Sequence, residues 1–254
     1  DTTKVISTFE NKITDLEPIS LLTYLLKECE ASNNEKIKLL SKELVIKASS
    51  NSDIPKDILI SSIEFIFSKY VVKRSITNLT PLPDDCLLKK SEEELSTLSD
   101  EFVHLLSTNA NFTNEDFQLL LPKSKNTPFD IVTLFLSKQV KEYQSCLELL
   151  LDPFSRIPNR EKTLFSWIEM TLMHLKETDK KEFTKIKEDI GNNICKIGKL
   201  NVNEMFNLVN NWFSNEKKSI ILKLDDAPEI QLHFIEIIIK QINLELAENE
   251  NNIQ

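Results

Sequence analysis

Three histidines, His104, His174 and His233, and four cysteines, Cys29, Cys86, Cys146 and Cys195, are the side chains here best suited to hold a metal or attack a substrate. Such chemistry needs these groups to converge, through short loop spacings or through an i, i+4 pair on one helix face. The histidines instead stand about 60 to 70 residues apart, each inside a helical pattern, and none has a His or Cys partner four residues away. The cysteines have no paired spacing either, which favours buried reduced thiols over a disulfide framework or a zinc knuckle. No Gly-x-Ser-x-Gly elbow supplies a nucleophile. No catalytic, cofactor-binding or metal-binding residue is therefore expected, and no cofactor.

Acidic pairs occur at Asp84-Asp85, Glu115-Asp116 and Asp225-Asp226, each where a helix is expected to begin. Carboxylates there complement the helix dipole and accept from free N–H groups, so capping explains them without catalysis. The triplet Glu92-Glu93-Glu94 reads the same way, as a solvated first turn. Lys180-Lys181 and Lys217-Lys218 are short doublets flanked by acids, better suited to solvated helix faces than to RNA or an anionic membrane. Trp167 and Trp212 could anchor an interface, yet both lie within apolar stripes and read as core.

The elements that would position these residues are helical. Only two glycines, Gly191 and Gly198, occur in 254 residues, so tight hairpins, dinucleotide-binding turns and phosphate-cradling loops lack their raw material. Apolar stripes recur at spacings of three and four: Leu16 to Leu26, Ile37 to Ala48, Ile58 to Phe67, and Leu95 to Leu106. Further stripes run from Phe117 towards Pro122, from Phe129 to Leu136, over Lys138 to Leu151, and from Leu164 to Leu175. Phe183, Ile186, Ile190 and Ile194 make the next, then Leu200 to Phe213, and last a helix opening at Pro228. In that helix Ile230, Phe234, Ile238 and Ile242 form one face, and Leu232, Ile235, Ile239 and Leu246 an adjacent one. The stripe around Trp167 is apolar on most sides, as in a helix sandwiched between neighbours. The tail from Glu248 to Gln254 is expected to fray. Thr80-Pro81-Leu82-Pro83-Asp84-Asp85 is the clearest interruption, because each proline disfavours helix for itself and for the residue before it.

The sequence thus predicts an all-α protein, an α-solenoid of stacked antiparallel helical pairs. Residues 1–80 form N-terminal repeats, 81–91 a proline-containing break and 92–254 C-terminal repeats. The formal net charge of -9 opposes a nucleic-acid partner. No run approaches the roughly 18 apolar residues that span a bilayer, and no secretory pattern opens the chain, which points to a cytoplasmic protein. The opening at Asp1-Thr2-Thr3, in mid-pattern and without Met, is the pattern expected of a segment of something larger.

From Asn126 onward particular stretches become recognisable. Tyr143-Gln144-Ser145-Cys146-Leu147-Glu148-Leu149-Leu150-Leu151 resembles a helix of the clathrin-heavy-chain repeat. Phe165-Ser166-Trp167-Ile168, then Asn193-Ile194, Leu208-Val209 and the run Asp226 to Glu236, are similar to that repeat in the large vacuolar protein-sorting subunits. Subunits of the endosomal tethering complex CORVET are among these. The resemblance spans residues 126–245, and the amino-terminal half matches it less well. It implies an α-solenoid that follows a β-propeller in the full subunit and works in a multisubunit tether on endosomal or vacuolar membranes. Its partners would be other tethering-complex subunits and, through the full-length protein, Rab GTPases. The family's propeller and zinc-binding RING domain have no counterpart here, so neither Rab nor zinc binding is assigned to these residues, and the interacting face is unspecified. A HEAT- or armadillo-like adaptor in nuclear transport or RNA metabolism is the alternative that shares the helical evidence.

Overall fold

The computed structural model describes residues 34–49, 54–70 and 91–251, with side chains to residue 244. The described residues are all-α, with no strand. Twelve helices run in order: α1 Glu35–Ala48, α2 Lys56–Lys69, α3 Glu92–Thr108, α4 Asn114–Ser124, α5 Asp130–Gln139, α6 Tyr143–Leu151, α7 Arg160–Thr178, α8 Lys180–Asn192, α9 Ile194–Leu200, α10 Val202–Trp212, α11 Lys217–Leu222 and α12 Pro228–Asn251. Packing divides the chain between Glu142 and Tyr143 into two compact units. The break expected at 81–91 lies outside the described residues except for Ser91, as do the stripe at Leu16 to Leu26, Cys29, Cys86 and Asp84-Asp85. Helices on both sides of that break share one core.

Local chemistry explains why the first-unit helices start and stop where they do. Ser91 and Glu94 close a capping box, the Ser91 Oγ accepting from the Glu94 N–H at 3.2 Å and the Glu94 carboxylate accepting from the Ser91 N–H at 2.7 Å. Asp116 accepts from the Thr113 N–H at 2.7 Å and its hydroxyl at 2.8 Å, which fixes the entry to α4. Pro122 sits inside the last turn of α4, and Asn126, in the left-handed region at φ 72°, reverses the chain into α5. A buried hydroxyl relay holds that corner: Thr133 Oγ1 donates to Ser124 Oγ at 3.0 Å, and Ser124 Oγ to the Leu121 carbonyl at 2.9 Å.

In this unit α1 packs on α2 and α3, α2 on α4, and α5 on both α3 and α4. The centre is aromatic. The Phe129 ring lies 5.7 Å from Phe67, 5.4 Å from Tyr70 and 5.3 Å from Phe102, edge-on to the last two, as ring quadrupoles favour. The Tyr70 hydroxyl donates to the buried Glu43 carboxylate at 2.9 Å, so the phenol enters the core with its polar end satisfied.

In the second unit α7 packs on α6, α8 and α10, while α12 packs on α9 and α10. Cys146, Leu164, Ile168, Leu172, Ile190, Ile197, Val209 and Phe234 are fully buried among them. Gly198 marks the closest approach: a Cβ there would stand 2.8 Å from Met205 Sδ and 2.9 Å from Ile230 Cγ2.

Several element boundaries differ from the sequence-based expectation: Leu200 ends α9 and α10 opens at Val202 behind the Asn201 cap, and α11 falls where no stripe was expected. The stretch 138–151 is divided, because Lys141 adopts φ 62° and the Glu142 N–H reaches back to the Ser137 carbonyl at 2.9 Å, a left-handed helix end. The stripe ending at Ile194 is divided as well. Asn193 leaves the helical conformation, its Nδ2 donating to the Asp189 carbonyl at 2.9 Å, and Ile194 opens α9. The tail continues as helix to Asn251 rather than fraying at Glu248.

Candidate interaction surface

His104, His174 and His233 are all exposed on different helices, and among the described residues no group of three His, Cys, Asp or Glu side chains could hold a metal ion. Cys146 is a fully buried thiol and Cys195 is partly buried. In each described acidic cluster one carboxylate has a local structural role: Glu94 and Asp116 serve helix starts, and Asp225 accepts from Gln231 Nε2 at 2.8 Å before α12. Trp167 is core, 5% exposed. Trp212 is half-buried at an edge, its ring 6.1 Å from Phe183 with Lys176 Nζ 5.7 Å above it.

Two clefts bring titratable side chains together. The first, about 630 Å³ in the first unit, brings His104 near Ser49, Lys56 and Thr108. Its hydroxyls are spent on their own helices, Ser49 Oγ on the Ile46 carbonyl at 2.5 Å and Thr108 Oγ1 on the His104 carbonyl at 2.7 Å. Lys56 is paired with Asp116 at 3.0 Å, so no nucleophile is aligned with a base. The second cleft, about 440 Å³ in the other unit, mixes Arg160, Lys196 and Lys199 with Glu148 and Asp152. Arg160 donates to the Asp152 carbonyl there and Glu148 accepts from Gln144 at 3.0 Å, leaving no single-sign pocket for an ion.

The surface with unmet physical demand lies on α12. Ile230 and Phe234 turn its inner face into the unit, where the Phe234 ring meets Phe206 edge-on at 5.4 Å. On the opposite side Leu232 is 61%, Ile239 51% and Ile242 49% exposed, with Ile235 partly so. Leu244 shares the inner face with Ile230 yet is 66% exposed, and residues 239–244 are all exposed. α12 therefore runs past the described helices that cover its first half and carries apolar side chains that remain about half exposed among the described residues. Clusters of this kind mark sites of protein contact. A smaller patch lies on α7, where Met170 and Met173 are 72% and 59% exposed, so one stripe of that helix stays open rather than sandwiched.

The spacing along α12 was readable in the sequence, but nothing there separated the covered face from the open one. Met170 and Met173 were missed; their offset from the Leu164, Ile168, Leu172, Leu175 stripe was the available signal. No helix among the described residues is long and apolar enough to cross a membrane. No protein-family model, curated protein or solved structure gives a significant match to this chain.

Proposed function

We propose that this chain is a non-enzymatic helical scaffold that binds other proteins, and that it works as a segment of a multisubunit tethering complex in endosomal or vacuolar traffic. The open apolar side of α12 carries the reading: a helix with apolar residues on both faces is built to be covered on both. The order of contacts in the first unit supports stacked helical pairs, since α1, α3 and α5 pack in series while α2 packs on α4. The tethering assignment rests on the sequence resemblance over residues 126–245, and it places the protein in the cytoplasm, peripheral to those membranes, beside other tether subunits.

An affinity capture from cell extract with this chain as bait, read by mass spectrometry at low and high salt, tests it. The Ile239→Glu variant is the control for capture through α12. Recovery of vacuolar-sorting subunits and endosomal Rab proteins that depends on Ile239 supports the reading. Recovery of importins or RNA-binding factors would move it to the adaptor class. Turnover of a substrate, or a cofactor co-purifying in stoichiometric amount, would refute the scaffold itself.

A further inference from the structure

We infer that the outer face of α12 is a coiled-coil seam that receives a basic amphipathic helix from a partner protein, which deepens the scaffold reading and rests on it. Leu232, Ile235, Ile239 and Ile242 are separated by three, four and three residues, and the sequence extends the series by four to Leu246. That alternation is the a/d repeat of a two-stranded coiled coil, in which each apolar knob enters a hole formed by four residues of a facing helix. The geometry therefore specifies the occupant's shape. A strand would need alternation by two, and a small ligand would need concavity, whereas this face is the convex outside of a helix.

Charge specifies the occupant's chemistry. The positions flanking the seam are Gln231, Glu236, Ile238, Asn243 and Glu245, with two glutamates and no basic residue. Over its whole length α12 holds five glutamates against one lysine, and that residue, Lys240, lies about 120° around the helix from the middle of the seam. A second copy of α12 would bring glutamates into register with glutamates or amides, with no opposite charge to meet them. A helix with Lys or Arg beside its own apolar seam meets the exposed Glu236 with complementary charge, and the sequence repeats an acidic residue at flanking position 245. The seam is also continuous with the fold, because Ile230 and Phe234 anchor the opposite side of the same helix. The partner helix would lie across α12 from the unit's core, making α12 the shared middle layer.

The test uses two synthetic four-heptad peptides with Ile at a and Leu at d, one carrying Lys and the other Glu at e and g. Lysines at these positions keep the first from pairing with itself. Each is labelled and titrated with the full chain by fluorescence anisotropy at low and high salt. The Lys peptide is expected to bind at least about tenfold tighter than the Glu peptide and to weaken with salt. Ile239→Glu should reduce its affinity by at least about tenfold while the far-UV spectrum stays unchanged. Leu119→Glu, on α4 in the first unit and 48% exposed, is the variant expected to leave binding intact. Equal affinity for both peptides, no binding of the Lys peptide, or a dimer in sedimentation that Ile239→Glu dissociates would overturn the inference. If the Lys peptide fails while capture from extract still depends on Ile239, the scaffold reading stands and the basic-helix assignment falls.

Discussion

Replacing Phe129 with alanine removes the ring on which the first unit's core converges. Phe129 is fully buried and has Phe67, Tyr70 and Phe102 within 5.7 Å, so its loss leaves three aromatic neighbours facing a void. Core Phe→Ala changes cost about 3–5 kcal/mol, and favourable ring pairs are worth about 0.5–1.5 kcal/mol each beyond their buried area. With three such pairs, the expected cost is about 4–5 kcal/mol, a large part of a typical domain's total stability. Phe129→Leu keeps most of the volume and should cost about 1.5 kcal/mol, so the difference between the two variants reports the cavity. Both tryptophans, Trp167 and Trp212, belong to the second unit, which separates the readouts. In urea, the far-UV circular-dichroism midpoint should fall for Phe129→Ala while the tryptophan-fluorescence midpoint stays near that of the parent. A loss under about 2 kcal/mol would refute the converging-ring account, because the cavity would have collapsed at little cost. An equal shift of the fluorescence midpoint would refute the expectation that the two units unfold independently.

Four further outcomes are expected. Gly198→Ala should lower stability by about 1–2 kcal/mol despite the better helix propensity of alanine, because its Cβ meets Met205 and Ile230 inside 3.0 Å. Gly191→Ala should be neutral or stabilising by up to about 1 kcal/mol, since the nearest atom there is Phe213 Cε1 at 3.4 Å; thermal melts should place it above the Gly198 variant if this packing is right. Desolvation pushes the Asp116 carboxyl up, but hydrogen bonds from Thr113 and Lys56 outweigh it and hold the pKa below the ordinary 3.8. A depressed folded-state pKa stabilises above the unfolded value and loses that contribution as pH falls through the folded one. Asp116→Ala should therefore cost about 1 kcal/mol at neutral pH, as lost caps do, and the gap from the parent should narrow in urea melts near pH 3. Trp167→Ala should cost about 3–5 kcal/mol in the fluorescence of Trp212, and a change below about 1 kcal/mol would place Trp167 at an interface instead of the core.

Much of the helical architecture was legible because it is local. Ser91 with Glu94, Thr113 with Asp116, and Pro153 after α6 act within a few residues, and a three-and-four stripe such as Leu95, Leu98, Phe102, Leu105 identifies its own buried side. Boundaries that preserve the stripe were not legible. Ile190 and Ile194 keep their four-residue spacing across the junction of α8 and α9, and only the backbone turn at Asn193 separates them. Lys141 occupies a left-handed position usually held by glycine, so the end of α5 carried no sequence mark.

The sequence by itself determined that the chain is helical, that it lacks the glycine for tight turns or phosphate loops, and that each helix has an apolar side. Which apolar side is covered was decided by the tertiary structure alone. Phe234 and Ile239 are five residues apart on one helix and equally apolar, yet one is fully buried and the other 51% exposed. Periodicity reports what a helix offers, whereas burial depends on which distant helices arrive to cover it, here α9 and α10 on one side of α12. Gly198 follows the same logic. Local propensity disfavours it, and the close approach of Met205 and Ile230 in three dimensions requires it.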